Sequence, residues 1–144
     1  MSRTLSFRGK LAMGSEERIS LHTNRGQIGY KITKFQIVSE SPGASSVEQI
    51  GQIFKISVSP ASTIDFSDNT LLGIAMYHDH ADASRHFSNY VIFDNEIFNQ
   101  DIFINITDAA GGITEGNYYI EVEVFDLALD EATVATLKDI RNND

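Results

Sequence analysis

The sequence predicts an all-β protein, an antiparallel β-sandwich with a jelly roll among its possible forms, closed by one short C-terminal helix. Three observations carry this. Short segments alternate apolar and polar side chains with a period of two, as half-buried strands require. Turn-forming residues separate them, at Asn24-Arg25-Gly26, Pro42-Gly43, Asp68-Asn69, Asp94-Asn95-Glu96 and Gly111-Gly112. Helical spacing is convincing only near the C-terminus.

The stretch from Tyr90 to Thr107 reads as the organising hairpin. Tyr90 to Phe93 is a continuous apolar run suited to a strand covered on both sides. Ile102, Ile104 and Ile106 then share one face against Phe103 and Asn105. Before it, residues 1–16 mix basic and apolar side chains without a sustained period, which predicts an N-terminal arm or edge strand over Thr4 to Met13. Arg18 to Thr23 alternates through Ile19 and Leu21. Ile28, Tyr30 and Ile32 share a parity that Phe35 and Ile37 break, so a long strand is expected, either with a bulge near Thr33-Lys34 or buried on both sides.

Val47 to Val58 alternates through Phe54, Ile56 and Val58 until Pro60. In Leu71 to Tyr77, Leu72, Ile74 and Met76 alternate with the small Gly73 and Ala75, which implies close packing on that second face. His78 to Asn89 is the most polar stretch and the expected tip of the domain. Tyr118, Ile120, Val122 and Val124 give the cleanest alternation, and this strand is expected to pair with the one over Gln100 to Thr107. The helix is expected from an Asp130 N-cap through Val134, Leu137 and Ile140. The resulting division is an arm or edge strand over 1–16, a sandwich over 17–129, and a helix and tail over 130–144.

At 144 residues, 42% of them hydrophobic and nine of them Phe, the chain suits one packed domain. Its opening Met-Ser-Arg-Thr-Leu-Ser-Phe lacks the apolar run of a signal peptide, so a soluble chain outside the general secretory route is expected, with no membrane partner. With no cysteine, stability must come from core packing or subunit association. A formal charge of −9 argues against a nucleic-acid backbone as partner. The charge is polarised: residues 1–38 carry Arg3, Arg8, Lys10, Arg18, Arg25, Lys31 and Lys34 against only Glu16 and Glu17. Such a basic end can dock on an acidic surface of a neighbouring copy or of another protein, or its charges can be those of ordinary solvated strand edges.

Sites for chemistry are few. His78, His80, Asp82 and His86 could gather into a zinc-like or nickel-like cluster, but they lack a fixed ligand spacing and suit an exposed polar tip, so no metal is expected. Asp65 with Asp68, and Asp94 with Glu96, have calcium-type oxygens without EF-hand spacing; turn and cap duties explain them better. No Gly-x-Ser-x-Gly or phosphate loop occurs, so no enzyme and no cofactor is expected. Asn105-Ile106-Thr107 matches a glycosylation acceptor but lies inside a strand. Tyr119 and Phe125 could stack on sugars, or could be covered by the terminal helix or another subunit.

The opening Arg-Thr-Leu-Ser-Phe-Arg-Gly-Lys, the segments Gly-Tyr-Lys-Ile-Thr-Lys-Phe-Gln-Ile and Val-Ile-Phe-Asp-Asn-Glu-Ile-Phe-Asn-Gln-Asp-Ile-Phe, then Asn-Tyr-Tyr-Ile-Glu and the closing Ala-Thr-Leu-Lys-Asp-Ile-Arg-Asn together resemble small structural proteins of marine tailed bacteriophages. The resemblance implies a virion component made in the host cytoplasm, similar to capsid decoration or cement proteins, which bind the major capsid protein, stabilise the shell and commonly form trimers. On that reading Arg3, Phe7, Arg8, Lys10, Leu11 and Met13 would contact the major capsid protein or a neighbouring subunit. The alternatives are a tail or head-fibre component whose His78 to Phe87 tip touches the host surface, and a carbohydrate-binding β-sandwich.

Overall fold

Two parities of apolar residues have to share one face between Ile28 and Ile37, and the backbone reconciles them with one extra residue. The computed structural model describes residues 3–22, 27–43, 46–80, 85–93 and 97–127, with backbone only at 80 and 85–87. Its strands are β1 (Arg3–Leu11), β2 (Ser15–Ile19), β3 (Ile28–Ser39), β4 (Val47–Phe54), β5 (Leu71–His80), β6 (Arg85–Ile92), β7 (Ile102–Asp108) and β8 (Gly116–Asp126). In β3 the register against β8 shifts between Ile32 and Lys34, so Thr33 is the bulged residue and Ile32, Phe35 and Ile37 all turn inward, each at most 3% exposed.

A three-stranded sheet, β1-β8-β3, packs against a five-stranded sheet, β2-β7-β4-β5-β6, and every pairing is antiparallel. This is the predicted β-sandwich. The pairs β1 with β8, β2 with β7 and β4 with β5 nest inside one another, the wrapping of a jelly roll. The departure is β6, which stays beside β5 instead of crossing to β3. Phe98 occupies part of that place: Tyr30 N–H donates to Phe98 O at 2.7 Å, and Phe98 N–H returns to Tyr30 O at 3.0 Å.

Between the layers lie Ile102, Ile104 and Ile106 of β7 with Phe35, Ile120 and Val122 of the small sheet, all fully buried. The large sheet is covered on its outer face as well, by the segment 55–70. Val58 and Ile64 pack on Phe54, Leu71 and Ile74. Gln52 Nε2 donates to Ala61 O at 3.0 Å and Thr63 O at 3.2 Å, while Glu16 accepts from Ser57 Oγ at 2.6 Å and Val58 N–H at 2.9 Å.

Several expectations are corrected. Tyr90 to Thr107 is not a hairpin: β6 pairs only with β5, at the edge of the large sheet, whereas β7 lies between β2 and β4. Tyr90 is accordingly 51% exposed rather than covered on both sides. β8 does not pair with β7 but lies in the other sheet between β1 and β3, because its inward Ile120, Val122 and Val124 meet the β7 isoleucines across the core. The strand expected to run to Val58 ends at Phe54, and Lys55 N–H leaves the ladder to donate to Thr70 O at 2.8 Å. Most of the loop expected from His78 to Asn89 is strand, with β5 reaching His80 and β6 starting at Arg85. In β5 both faces are buried; Gly73 and Ala75 turn toward the core side. The expected C-terminal helix and the turns at 24–26 and 94–96 lie outside the described residues.

Candidate functional site

β1 ends the small sheet and β2 ends the large one, and the tight turn joining them leaves both free edges on one flank of the sandwich. Gly14, at φ 80°, makes that turn, with its N–H donating to Ile106 O at 2.8 Å. Between the edges runs an open groove of about 440 Å³, walled by Phe7 and Arg8 of β1, Glu17 and Ile19 of β2, and Tyr118 of β8.

Polar contacts fix the groove. Tyr118 spans the two layers, its hydroxyl donating to Glu17 Oε2. Burial, reinforced by the Glu17 carboxylate, pushes the Tyr118 phenol above its ordinary value. At one end Asp101, 8% exposed, gathers four donors on one carboxylate. Arg18 Nε donates to Oδ2 at 2.6 Å; Leu21 N–H and His22 N–H donate to Oδ1 at 2.8 and 2.9 Å, and His22 Nδ1 lies 2.7 Å from the same oxygen. Burial alone would raise the Asp101 pKa, but the donors outweigh it and hold the carboxyl well below the usual carboxylate range. The network ties the end of β2 and the chain beyond it to the start of β7.

The six residues expected at a partner surface separate by depth. Arg3 and Arg8 are exposed on β1. Lys10 is exposed but bridges Glu40 at 3.3 Å and Glu115 at 3.4 Å, whose hydrogen bonds raise its pKa. Phe7 and Met13 are half-buried against the core, and Leu11 is inside it at 8% exposure. The basic segment is therefore an integral edge strand, paired with β8 along its whole length.

Among residues with described side chains, every Lys and Arg other than Arg18 and Lys55 lies on β1 or β3 of the small sheet. Arg8, Lys31 and Lys34 point outward there, in register with Tyr119, Glu123 and Glu121, and Lys34 Nζ sits 5.9 Å from the centroid of the Tyr119 ring. The sequence polarity thus becomes a mixed face on the small sheet, on which Arg8, Lys10, Lys31 and Lys34 outnumber Glu121 and Glu123.

At the tip, His78 is exposed at the end of β5, His80 stands opposite Arg85 in the ladder and His86 opposite Asp79; Asp82 lies outside the described residues. Among the described residues no group of three or more His, Cys, Asp or Glu side chains is placed to hold a metal. Asp65 and Asp68 serve turns, Asp65 Oδ1 accepting from Ser67 N–H at 2.9 Å and Asp68 Oδ1 from Thr70 N–H at 2.8 Å. Sequence reasoning passed over Glu17, Tyr118, His22 and Asp101, because the pairs they form cross the whole chain. No known family model matches this chain, and no curated protein matches it.

Proposed function

We propose that this chain is a virion structural protein, a capsid decoration or cement protein that binds the major capsid protein at the capsid surface. Two supports meet. One is the resemblance of its sequence phrases to phage structural proteins; the other is the outer face of the small sheet, where basic side chains outnumber the two glutamates Glu121 and Glu123. On a chain of net charge −9, Arg8, Lys31 and Lys34 gather on one sheet face, giving an orienting contact for an acidic protein surface. That observation carries the reading.

Deleting the N-terminal strand would not test it, since the deletion removes buried Leu11 and a whole edge of the small sheet. The test is co-sedimentation of the purified chain with capsid shells lacking it. Lys31→Glu with Lys34→Glu is expected to lower occupancy roughly tenfold or more, about 1.4 kcal/mol, with raised salt acting in the same direction. Unchanged occupancy, or immunogold labelling confined to the tail, would overturn the capsid assignment.

A further inference from the structure

We infer that the segment 55–70 is a lid on the outer face of the large sheet, which opens and recloses as a unit while both sheets stay folded. This inference does not depend on a capsid. The segment leaves and rejoins the sheet at one point, where Lys55 N–H donates to Thr70 O at 2.8 Å, so it is a loop with closed ends. It contains no strand and pairs with no ladder. Between Lys55 and Thr70 none of its residues is buried, yet Gln52, Phe54, Ile74 and Asn105 beneath it are each at most 7% exposed.

Side chains hold the lid down. Gln52 Nε2 reaches Ala61 O and Thr63 O, Glu16 accepts from Ser57 and Val58, and Ser62 Oγ donates to Thr107 Oγ1 at 3.0 Å. The apolar anchors are Val58 and Ile64, both half-buried, and Phe66, 54% exposed and edge-on to the Phe93 ring. Other bonds stay inside the loop and travel with it: Asp65 Oδ1 accepts from Ser67 N–H and Oγ, and Asp68 Oδ1 from Thr70 N–H and Oγ1. Closure has a cost. Glu16, Asn105 and Gln52 stand side by side across β2, β7 and β4, and the closed lid buries the Asn105 amide with neither of its atoms bonded. Opening returns that amide to water, frees the Glu16 carboxylate and breaks no ladder bond, so it requires less free energy than unfolding the sheets.

Native-state hydrogen exchange of the unaltered chain is the first test. The Val58 amide, bonded to Glu16 under the closed lid, is expected to exchange on the order of a hundredfold faster than the Ile104 amide of β7, and to respond little to urea below the unfolding transition. The second test is a lock. The 3.0 Å between Ser62 Oγ and Thr107 Oγ1 brings these positions within reach of a disulfide, and the chain has no cysteine to compete. Ser62→Cys with Thr107→Cys is expected to slow Val58 exchange roughly tenfold or more when oxidised and to release it on reduction, a coupling that fraying at Val58 alone would not show. Val58 exchange that follows urea as steeply as that of Ile104, or that is equally fast in the oxidised and reduced lock, would overturn the proposal.

Discussion

Phe35 of the small sheet seats its ring end over Gly51 of the large one, so closely that a Cβ on Gly51 would lie 3.0 Å from Phe35 Cζ and 3.1 Å from Ile37 Cγ2. The two layers of the sandwich meet here with no side chain on one side. Gly51 is therefore a spacing residue, and its hydrogen is what allows Phe35 and Ile37 to be fully buried.

Gly51→Ala is expected to destabilise the fold by about 1–3 kcal/mol through overpacking. Phe35→Leu, which shortens the ring end, is expected to cost stability alone and to cost less in the Gly51→Ala background. Urea unfolding of the two single variants and the double variant checks this; strict additivity would mean that the two positions are not coupled.

Thr33 is the one residue of β3 without a register partner in β8, while Ile32 and Lys34 pair with consecutive residues, Val122 and Glu121. Removing Thr33 leaves every inward residue inward. Removing Gln36 instead turns Ile37 out, exposing a side chain whose burial is worth about 1.5–3 kcal/mol and reversing all that precedes or follows it. The expected outcome is a folded Thr33 deletion and a Gln36 deletion that fails to give a cooperative thermal transition.

The change of parity behind that bulge was legible in the sequence because parity is a local property, Tyr30 and Ile32 on one count and Phe35 and Ile37 on the next, but a strand buried on both sides would have shown the same pattern, and the register against β8 decides for the bulge. The same alternation marked β7 and β8 and their inward isoleucines and valines. Neighbourhood within a sheet left no such trace. Residues 118–124 would present the same pattern beside β7 or facing it across the core, and only the closed topology decides between the two. Asp101 was illegible for a related reason. Its partners Arg18 and His22 lie 83 and 79 positions away, and no local spacing links them. The basic segment was read correctly in composition, but its depth was not, because Leu11 enters the core only once β1 is paired with β8.

Asn105 is 1% exposed beneath the 55–70 segment, and neither its Oδ1 nor its Nδ2 has a hydrogen-bond partner. A buried amide in that position costs the desolvation of both groups, about 1–3 kcal/mol. Asn105→Val, β-branched and apolar, is expected to raise the thermal midpoint and the urea midpoint together. A fall in both would indicate a bridging water that the valine expels. The same burial removes Asn105 as a glycan acceptor in the folded protein.

Asp101 makes stability depend on acid. Its carboxyl titrates lower in the folded chain than in the unfolded one, where it sits near its ordinary value of about 3.9. The stabilisation is therefore complete above that unfolded value and is lost as pH falls through the folded one, so the decline belongs below about pH 4 and not near neutrality. Asp101→Asn keeps the shape but loses the charge that Arg18 and the amides of Leu21 and His22 point toward, at a cost of about 2–3 kcal/mol at pH 7, in the range of hydrogen bonds to a charged group. His22→Ala leaves both amide donors in place and is expected to cost less. Thermal melts from pH 7 to pH 2.5 should show a shallower acid decline for Asp101→Asn than for the unaltered chain. An identical decline in the two would mean that other carboxylates carry the acid sensitivity, leaving the link between the end of β2 and the start of β7 uncoupled from pH.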